Sequence, residues 1–85
     1  MKVLVAGASG ALGRPLIRRL RDVGHEVWGL AHRPDSLKTI ERIGAHPLKG
    51  DALNRENIFE IVERIRPEVV IDADFSHLRQ FRVIL

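Results

Sequence analysis

The chain has 85 residues, of which 45% are apolar and 29% charged, and this is enough for one small folded domain but not for two. No apolar run approaches the ~20 residues that span a bilayer or resembles a signal-peptide core, and the absence of Cys excludes disulfides and thiolate metal sites within the chain. We therefore expect a cytoplasmic protein with no membrane segment and no metal site. The net charge of +3 is concentrated in residues 1–34, which carry +4 and favour an anionic ligand, although a solvated helix face explains many such charges.

The first third of the chain predicts a strand, a helix and a second strand. Residues 2–6 form a short Val- and Leu-rich run that ends at a glycine, which is typical of a strand buried on both faces. In residues 11–23 apolar side chains recur every three or four positions and arginines occupy another face, which predicts an amphipathic helix. Pro15 lies near its first turn, and Gly24 ends it. Residues 26–31 are predicted as the second strand.

The rest of the chain repeats this alternation. A second helix begins at Pro34 and is closed by Gly44, and a short third strand covers residues 46–49. A third helix with Asn54 as its N-cap ends before Pro67, and residues 69–71 form a fourth strand. Alternating strands and helices imply right-handed parallel βαβ units. We therefore expect a truncated, Rossmann-like, doubly wound α/β fold with strand order 3-2-1-4 and helices on both faces of the sheet.

The last residues are harder to interpret. We expect the Rossmann-like domain to cover residues 1–73 and residues 74–85 to be a tail. Residues 81–85 resemble a strand, but the seven residues before them are too few for the ~10–12 of a parallel crossover. The tail therefore pairs antiparallel, pairs with another chain, or is not a strand. Strand 4 would then be an exposed apolar edge, which predicts a homo-oligomer formed through this edge or the tail.

The strongest functional signal lies between the first strand and the first helix, in the sequence Gly7-Ala8-Ser9-Gly10-Ala11-Leu12-Gly13. Gly7 permits a tight turn, Gly10 lets a pyrophosphate approach the backbone, and Gly13 lets the helix pack closely. The helix N-terminus offers unpaired amides to the phosphates. Because this loop follows a strand and opens a helix, it predicts dinucleotide binding rather than a purely structural turn. The predicted cofactor-binding residues here are Gly7, Ser9, Gly10, Ala11, Leu12, Gly13 and the adjacent Arg14.

Three further landmarks accompany the glycine loop. They are His25-Glu26-Val27 at the start of the second strand, Gly50-Asp51 after the third, and the run Pro67–Ile71 in the fourth. Together they resemble the extended short-chain dehydrogenase/reductases, the NAD-dependent epimerase/dehydratase group, from residue 1 to about residue 72. The resemblance implies an NAD(P)-binding oxidoreductase fold, and it implies that Asp51 bonds the adenine amino group with Ala52 beside the ring. A turn or capping role is the alternative for Asp51.

The end of the second strand favours NADP over NAD. Enzymes of this fold that prefer NAD usually place a carboxylate there, whereas this chain has Ala31, and Arg33 follows two residues later. We expect Arg33 to bind a 2′-phosphate and Arg14 to add a second cation beside it. An ordinary solvated loop residue is the alternative for Arg33, and NAD is the alternative cofactor.

No catalytic residue is expected in this chain. Enzymes of the family it resembles use a Tyr with a Lys four residues later, and this chain has no Tyr. The sequence therefore predicts the NAD(P)-binding N-terminal fragment of an epimerase/dehydratase-type oxidoreductase, not catalytic alone. One alternative is a non-catalytic NADP-sensing regulator similar to the NmrA-like proteins. The other, ranked last, is a basic nucleic-acid-binding module that uses the arginines of the first helix.

Overall fold

A computed structural model of the chain describes residues 1–51 and 53–73, together with the backbone of residues 82–84. Its elements are β1 (Lys2–Ala6), α1 (Gly13–Asp22), β2 (Glu26–Ala31), α2 (Pro34–Arg42), β3 (His46–Lys49), α3 (Arg55–Ile65), β4 (Val69–Asp72) and β5 (Arg82–Ile84). The order of helices and strands through β4 agrees with the sequence prediction. Helix α1 begins two residues later than predicted, because Ala11 and Leu12 belong to the turn that precedes it.

The strands form one sheet in the order β3-β2-β1-β4-β5. β1 lies between β2 and β4 and is parallel to both, with Val3 opposite Val27 on one side and Val69 on the other. β3 extends the sheet as a parallel neighbour of β2. The predicted strand order 3-2-1-4 and the Rossmann-like α/β fold are therefore confirmed, and the carboxyl ends of β1, β2 and β3 lie side by side at one end of the sheet.

Strand β5 changes one prediction about the sheet edge. It pairs antiparallel with β4, with Asp72 opposite Arg82 and Val70 opposite Ile84. Residues 82–84 of the tail thus adopt the antiparallel pairing, which was the first of the three alternatives. The prediction that strand 4 is an exposed edge is wrong, because β5 of the same chain hydrogen-bonds to it, and β3 and β5 are the edges of the described sheet. The homo-oligomer stays a prediction, and residues 74–81 and 85 lie outside the described part.

Helices cover both faces of the sheet, as predicted. α1 and α2 pack on one face, where Val3, Val5 and Ile17 are buried. α3 packs on the other face over Leu4 and Leu30. Residues 3–6 of β1 contribute alternately to opposite cores because side chains alternate along a strand, and this explains why all four are apolar.

The helix ends follow the local sequence signals. Gly24 and Gly44, which follow α1 and α2, have φ values of 99° and 95°, a region that glycine adopts without strain. The side chain of Asn54 caps α3 by accepting a hydrogen bond from the Asn57 amide at 3.1 Å, so the predicted N-cap is confirmed. Within the described ranges, each of the helices is too short or too polar to cross a membrane.

Candidate functional site

The loop between β1 and α1 turns sharply at its first glycine. Gly7 has a φ of 72°, in the left-handed region that side chains with a Cβ adopt only with strain. The Gly10 amide donates a hydrogen bond to the Gly7 carbonyl at 3.2 Å and closes the turn. Gly7 is therefore required by the backbone conformation.

Gly13 is required for a different reason, which is close packing. A Cβ on this residue would overlap the Gly7 carbonyl oxygen and would lie 2.8 Å from both the carbonyl carbon and the Cα of Ala8. These are backbone atoms that cannot rotate out of the way. Gly13 thus lets the first turn of α1 lie directly against the loop.

At Gly10, neither the backbone conformation nor close packing requires a glycine. Its φ is not among the positive values found at the described glycines, and the nearest atom to a Cβ built there is the Gly7 oxygen at 3.4 Å, an ordinary contact. The residue is exposed. Nothing in the described part of the chain therefore requires glycine at this position, and the residue is open to solvent there.

Ala8 fixes the loop to the sheet. It is fully buried, and a Cβ on Gly29 in the middle of β2 would lie 2.9 Å from the Ala8 Cβ and 2.7 Å from the Ile40 Cγ2. Gly29 therefore makes room for the loop on one face of β2. Sequence reasoning did not single out Gly29, although a glycine inside a strand is itself a sign of close approach by another segment.

The N-terminus of α1 carries no anionic group of its own. Its N-cap residue, Leu12, makes no side-chain hydrogen bond to the helix, and the first turn contains no acidic residue. The Arg14 amide donates to the Gly10 carbonyl at 3.1 Å, and the Arg14 Nε donates to the same oxygen at 3.4 Å. The remaining predicted loop residues, half-buried Ser9 and exposed Ala11, lie in the turn before the helix. The partial positive charge at this helix end is thus open to a ligand.

Arg33 follows the end of β2 and is the N-cap residue of α2. Its side chain is 70% exposed, and its Nε lies 3.4 Å from the Oδ1 of Asp35. An ion pair this exposed contributes little to stability. Sequence reasoning identified Arg33 but not its acidic partner. The two predicted phosphate-binding cations, Arg14 and Arg33, therefore stand after neighbouring strands, each with a local acceptor.

Asp51 lies in the turn after β3 and performs the turn role that was its alternative. Its Oδ1 accepts a hydrogen bond from the Leu53 amide at 2.9 Å, and its carbonyl accepts one from the Asn54 amide at 3.1 Å. Its own amide donates to Asn57 Oδ1 at 2.6 Å. Asp51 is exposed, so these bonds leave the adenine role open, and Ala52 lies outside the described residues. Sequence reasoning missed Asn57; its place three residues after an N-cap was the available signal.

The parallel strands bring these segments together at the carboxyl end of the sheet. The glycine loop, Arg33 and Asp51 follow the carboxyl ends of β1, β2 and β3, which are adjacent parallel strands. The Gly50 amide donates to the Ala31 carbonyl at 3.0 Å and joins the last two of these ends. Ligands of open α/β sheets bind at the carboxyl ends of the strands, so the arrangement suits an elongated ligand that spans them. Among the described residues, no three His, Asp or Glu side chains are grouped as a metal site would need.

Sheet order, helix placement and glycine loop define a Rossmann-like fold. Residues 3–80 match the family described as NAD dependent epimerase/dehydratase, and the chain belongs to this family. It is 41% identical over 71 residues to a 3-diazoavenalumate denitrifying reductase from a Streptomyces species, a match that covers 84% of this chain and 22% of the reductase.

Two solved structures share the fold. The NADPH binary complex of leucoanthocyanidin reductase from Vitis vinifera gives a TM-score of 0.72 at 24% identity, over 85% of this chain and 26% of that one. The closed form of a serine dehydrogenase complexed with NADP+ gives 0.63 at 30% identity, over 74% of this chain and 27% of that one. This chain therefore spans about a quarter of the length of the proteins it resembles.

Proposed function

We propose that this chain binds NADP(H) along the carboxyl edge of its sheet, as the cofactor-binding part of an oxidoreductase of its family. The observation that carries the proposal is Gly10, an exposed glycine that neither backbone conformation nor packing requires. A ligand that must approach the backbone closely explains it. The NAD-dependent family and the NADP+ complex of the serine dehydrogenase support a nicotinamide dinucleotide.

The loop would bind the pyrophosphate. Gly10 exposes its backbone, and the uncapped N-terminus of α1 presents amides and a partial positive charge to the phosphate oxygens. Gly7 and Gly13 hold the loop in this shape, and Ser9, Ala11 and Leu12 form its rim. The bound cofactor supplies the hydride of the family's chemistry, and this chain's share is to bind and orient it.

The end of β2 would select NADP. Ala31 offers no carboxylate to the ribose hydroxyls, and Arg33 stands two residues further on. The ion pair with Asp35 engages the Nε of Arg33, which leaves the two Nη groups for a 2′-phosphate. Arg14, next to the loop, would add a second positive charge. Beside the same ribose, Asp51 and Ala52 would contact the adenine.

Hydride transfer would need residues that these 85 do not include. The Tyr used by enzymes of this family as general acid/base has no counterpart here, because the chain contains no Tyr. We therefore propose that the chain binds the cofactor and does not by itself transfer hydride. A non-catalytic sensor would bind equally without turnover, but it would discriminate between NADP+ and NADPH.

The test is a calorimetric titration of the purified chain with NADPH and with NADH. We expect NADPH to bind more tightly, and we expect Arg33→Ala to weaken NADPH binding by about tenfold while leaving NADH binding unchanged. Arg19→Ala is the matched control, since it removes the same charge from an exposed position in the last turn of α1. Equal losses in the two variants would contradict the assignment of Arg33, and no binding of either nucleotide would contradict the proposed function.

A further inference from the structure

We infer that Asn57 is a positioning residue for adenine recognition, acting through Asp51. This inference rests on the proposed function, since it concerns the adenine end of the same site. Asn57 lies in the first turn of α3 and is not one of the residues that the sequence predicted for the site. Its side chain nevertheless makes the 2.6 Å hydrogen bond from the Asp51 amide.

The side chain of Asn57 is half-buried and lies against the turn that it holds. A Cβ on Gly50 would lie 2.7 Å from the Asn57 Oδ1, so the amide group is packed directly beneath the turn. The Asn57 backbone is fixed as well, because its amide donates to the Asn54 Oδ1 at 3.1 Å. Asn57 is thus anchored at both its backbone and its side chain, and the turn is built on it.

The pattern differs from an ordinary helix cap in the amide that donates to the side chain. In a capping box the side chain three residues after the N-cap accepts a hydrogen bond from the N-cap amide. Here the Asn54 amide donates instead to the Asp51 carbonyl at 3.1 Å, and Asn57 accepts from the amide of Asp51. The side chain of Asn57 therefore stabilises the position of Asp51 rather than the end of the helix.

The hydrogen bond to Asn57 helps to fix the position of the Asp51 carboxylate. Its Oδ1 accepts from the Leu53 amide at 2.9 Å, and within the described ranges the other oxygen has no hydrogen-bond partner. Asp51 is exposed, so that oxygen can accept a hydrogen bond from a ligand. An adenine ring offers its exocyclic amino group as donor. With the Asp51 amide held by Asn57 and one oxygen held by Leu53, the second oxygen is presented in one orientation.

The test compares NADPH with its reduced hypoxanthine analogue, in which a carbonyl replaces the adenine amino group. We expect the wild-type chain to bind NADPH about tenfold more tightly than the analogue, the discrimination given by one charged hydrogen bond. In Asn57→Ala this ratio should fall to about twofold or less, because the carboxylate is no longer held in place. The readout is the ratio of the two affinities, because a general loss of structure would weaken the binding of both ligands and leave their ratio unchanged.

Two variants serve as controls. Val62→Ala truncates a half-buried side chain of α3 in the core beneath β1 and destabilises the helix without touching the turn, so it should keep the ratio. Asn57→Asp retains an acceptor oxygen for the Asp51 amide, so it should also keep the preference for NADPH over the analogue.

The outcomes separate this inference from the function on which it rests. An unchanged ratio in Asn57→Ala, or an equal fall in Val62→Ala, overturns the role of Asn57. NADPH binding without any discrimination by the wild-type chain also overturns it, while the proposed function stands. No NADPH binding at all overturns both.

Discussion

Two segments at the carboxyl end of the same sheet, one after β1 and one after β3, are held in place by opposite means. The loop between β1 and α1 depends on glycines, which have no Cβ. Gly7 takes a φ of 72°, and Gly13 lies against the backbone of Ala8. The turn between β3 and α3 depends on side chains that are present, because Asp51, Asn54 and Asn57 hydrogen-bond to backbone amides at 2.6–3.1 Å. One is shaped by steric contact and the other by polar bonds.

The difference determines how each segment responds to substitution. A backbone overlap cannot relax without moving an element, whereas a lost hydrogen bond at an exposed turn is partly replaced by water. We therefore expect the β1–α1 loop to be rigid and to tolerate substitution poorly, and the β3–α3 turn to adjust to substitution. This contrast also fits two parts of the proposed ligand, since its pyrophosphate would be bound by backbone amides and its adenine by a side chain.

The largest expected effect is that of Gly13→Ala. Its Cβ would overlap the Gly7 oxygen and press on Ala8, so α1 must move away from the loop. We expect a loss of about 3 kcal/mol in the free energy of unfolding, at the upper end of what overpacking costs. Urea denaturation followed by circular dichroism measures it. A loss below about 1 kcal/mol would show that the loop adjusts easily, and the contrast between the two segments would fail.

The same contrast explains what the sequence allowed us to predict. The strand order followed from the alternation of strands and helices, and the glycine loop was recognisable because steric requirements leave a fixed pattern of glycines. The partners of Asn57 were not predictable, because an Asn in the first turn of a helix has several acceptors and donors within reach. The choice between them depends on the exact path of the turn.

Two further features that the sequence left undecided have the same physical origin. Residues 81–85 had the composition of a strand, but composition does not specify which edge a strand joins, and the structure places Arg82–Ile84 on β4. Likewise the sequence indicated a free cation at Arg33, whereas the exposed pair with Asp35 depends on side-chain rotamers at the start of α2. The sequence predicted patterns of residue type, but it did not predict which particular residues or strands interact.

An intermediate effect is expected for Asn54→Ala. The substitution removes the side chain that accepts from the Asn57 amide, and loss of an N-cap costs about 1 kcal/mol. Asn54→Asp is the matched control, because Asp caps helices as well as Asn does and should leave the stability unchanged. Thermal unfolding of the three proteins makes the comparison. If the alanine variant lost as much as Gly13→Ala, the β3–α3 turn would be as rigid as the loop.

The smallest effect on stability, and the most informative one, belongs to Gly10→Ala. Among the described residues the added methyl group would meet only the Gly7 oxygen, at 3.4 Å, and the φ of Gly10 does not exclude an L-residue. We expect the free energy of unfolding to stay within about 0.5 kcal/mol of wild type or to rise slightly, because alanine has less freedom in the unfolded chain.

Unlike its stability, the cofactor affinity of Gly10→Ala should fall clearly below that of the wild-type chain. If the pyrophosphate approaches the backbone at Gly10, the methyl group occupies its place, and calorimetry should show NADPH binding weakened by about tenfold or more. A stable variant with weakened binding would separate the one glycine kept for the ligand from Gly7 and Gly13, which the fold itself requires. Unchanged binding would mean that the whole loop is explained by the architecture of the chain, and the observation that carries the proposed function would be lost.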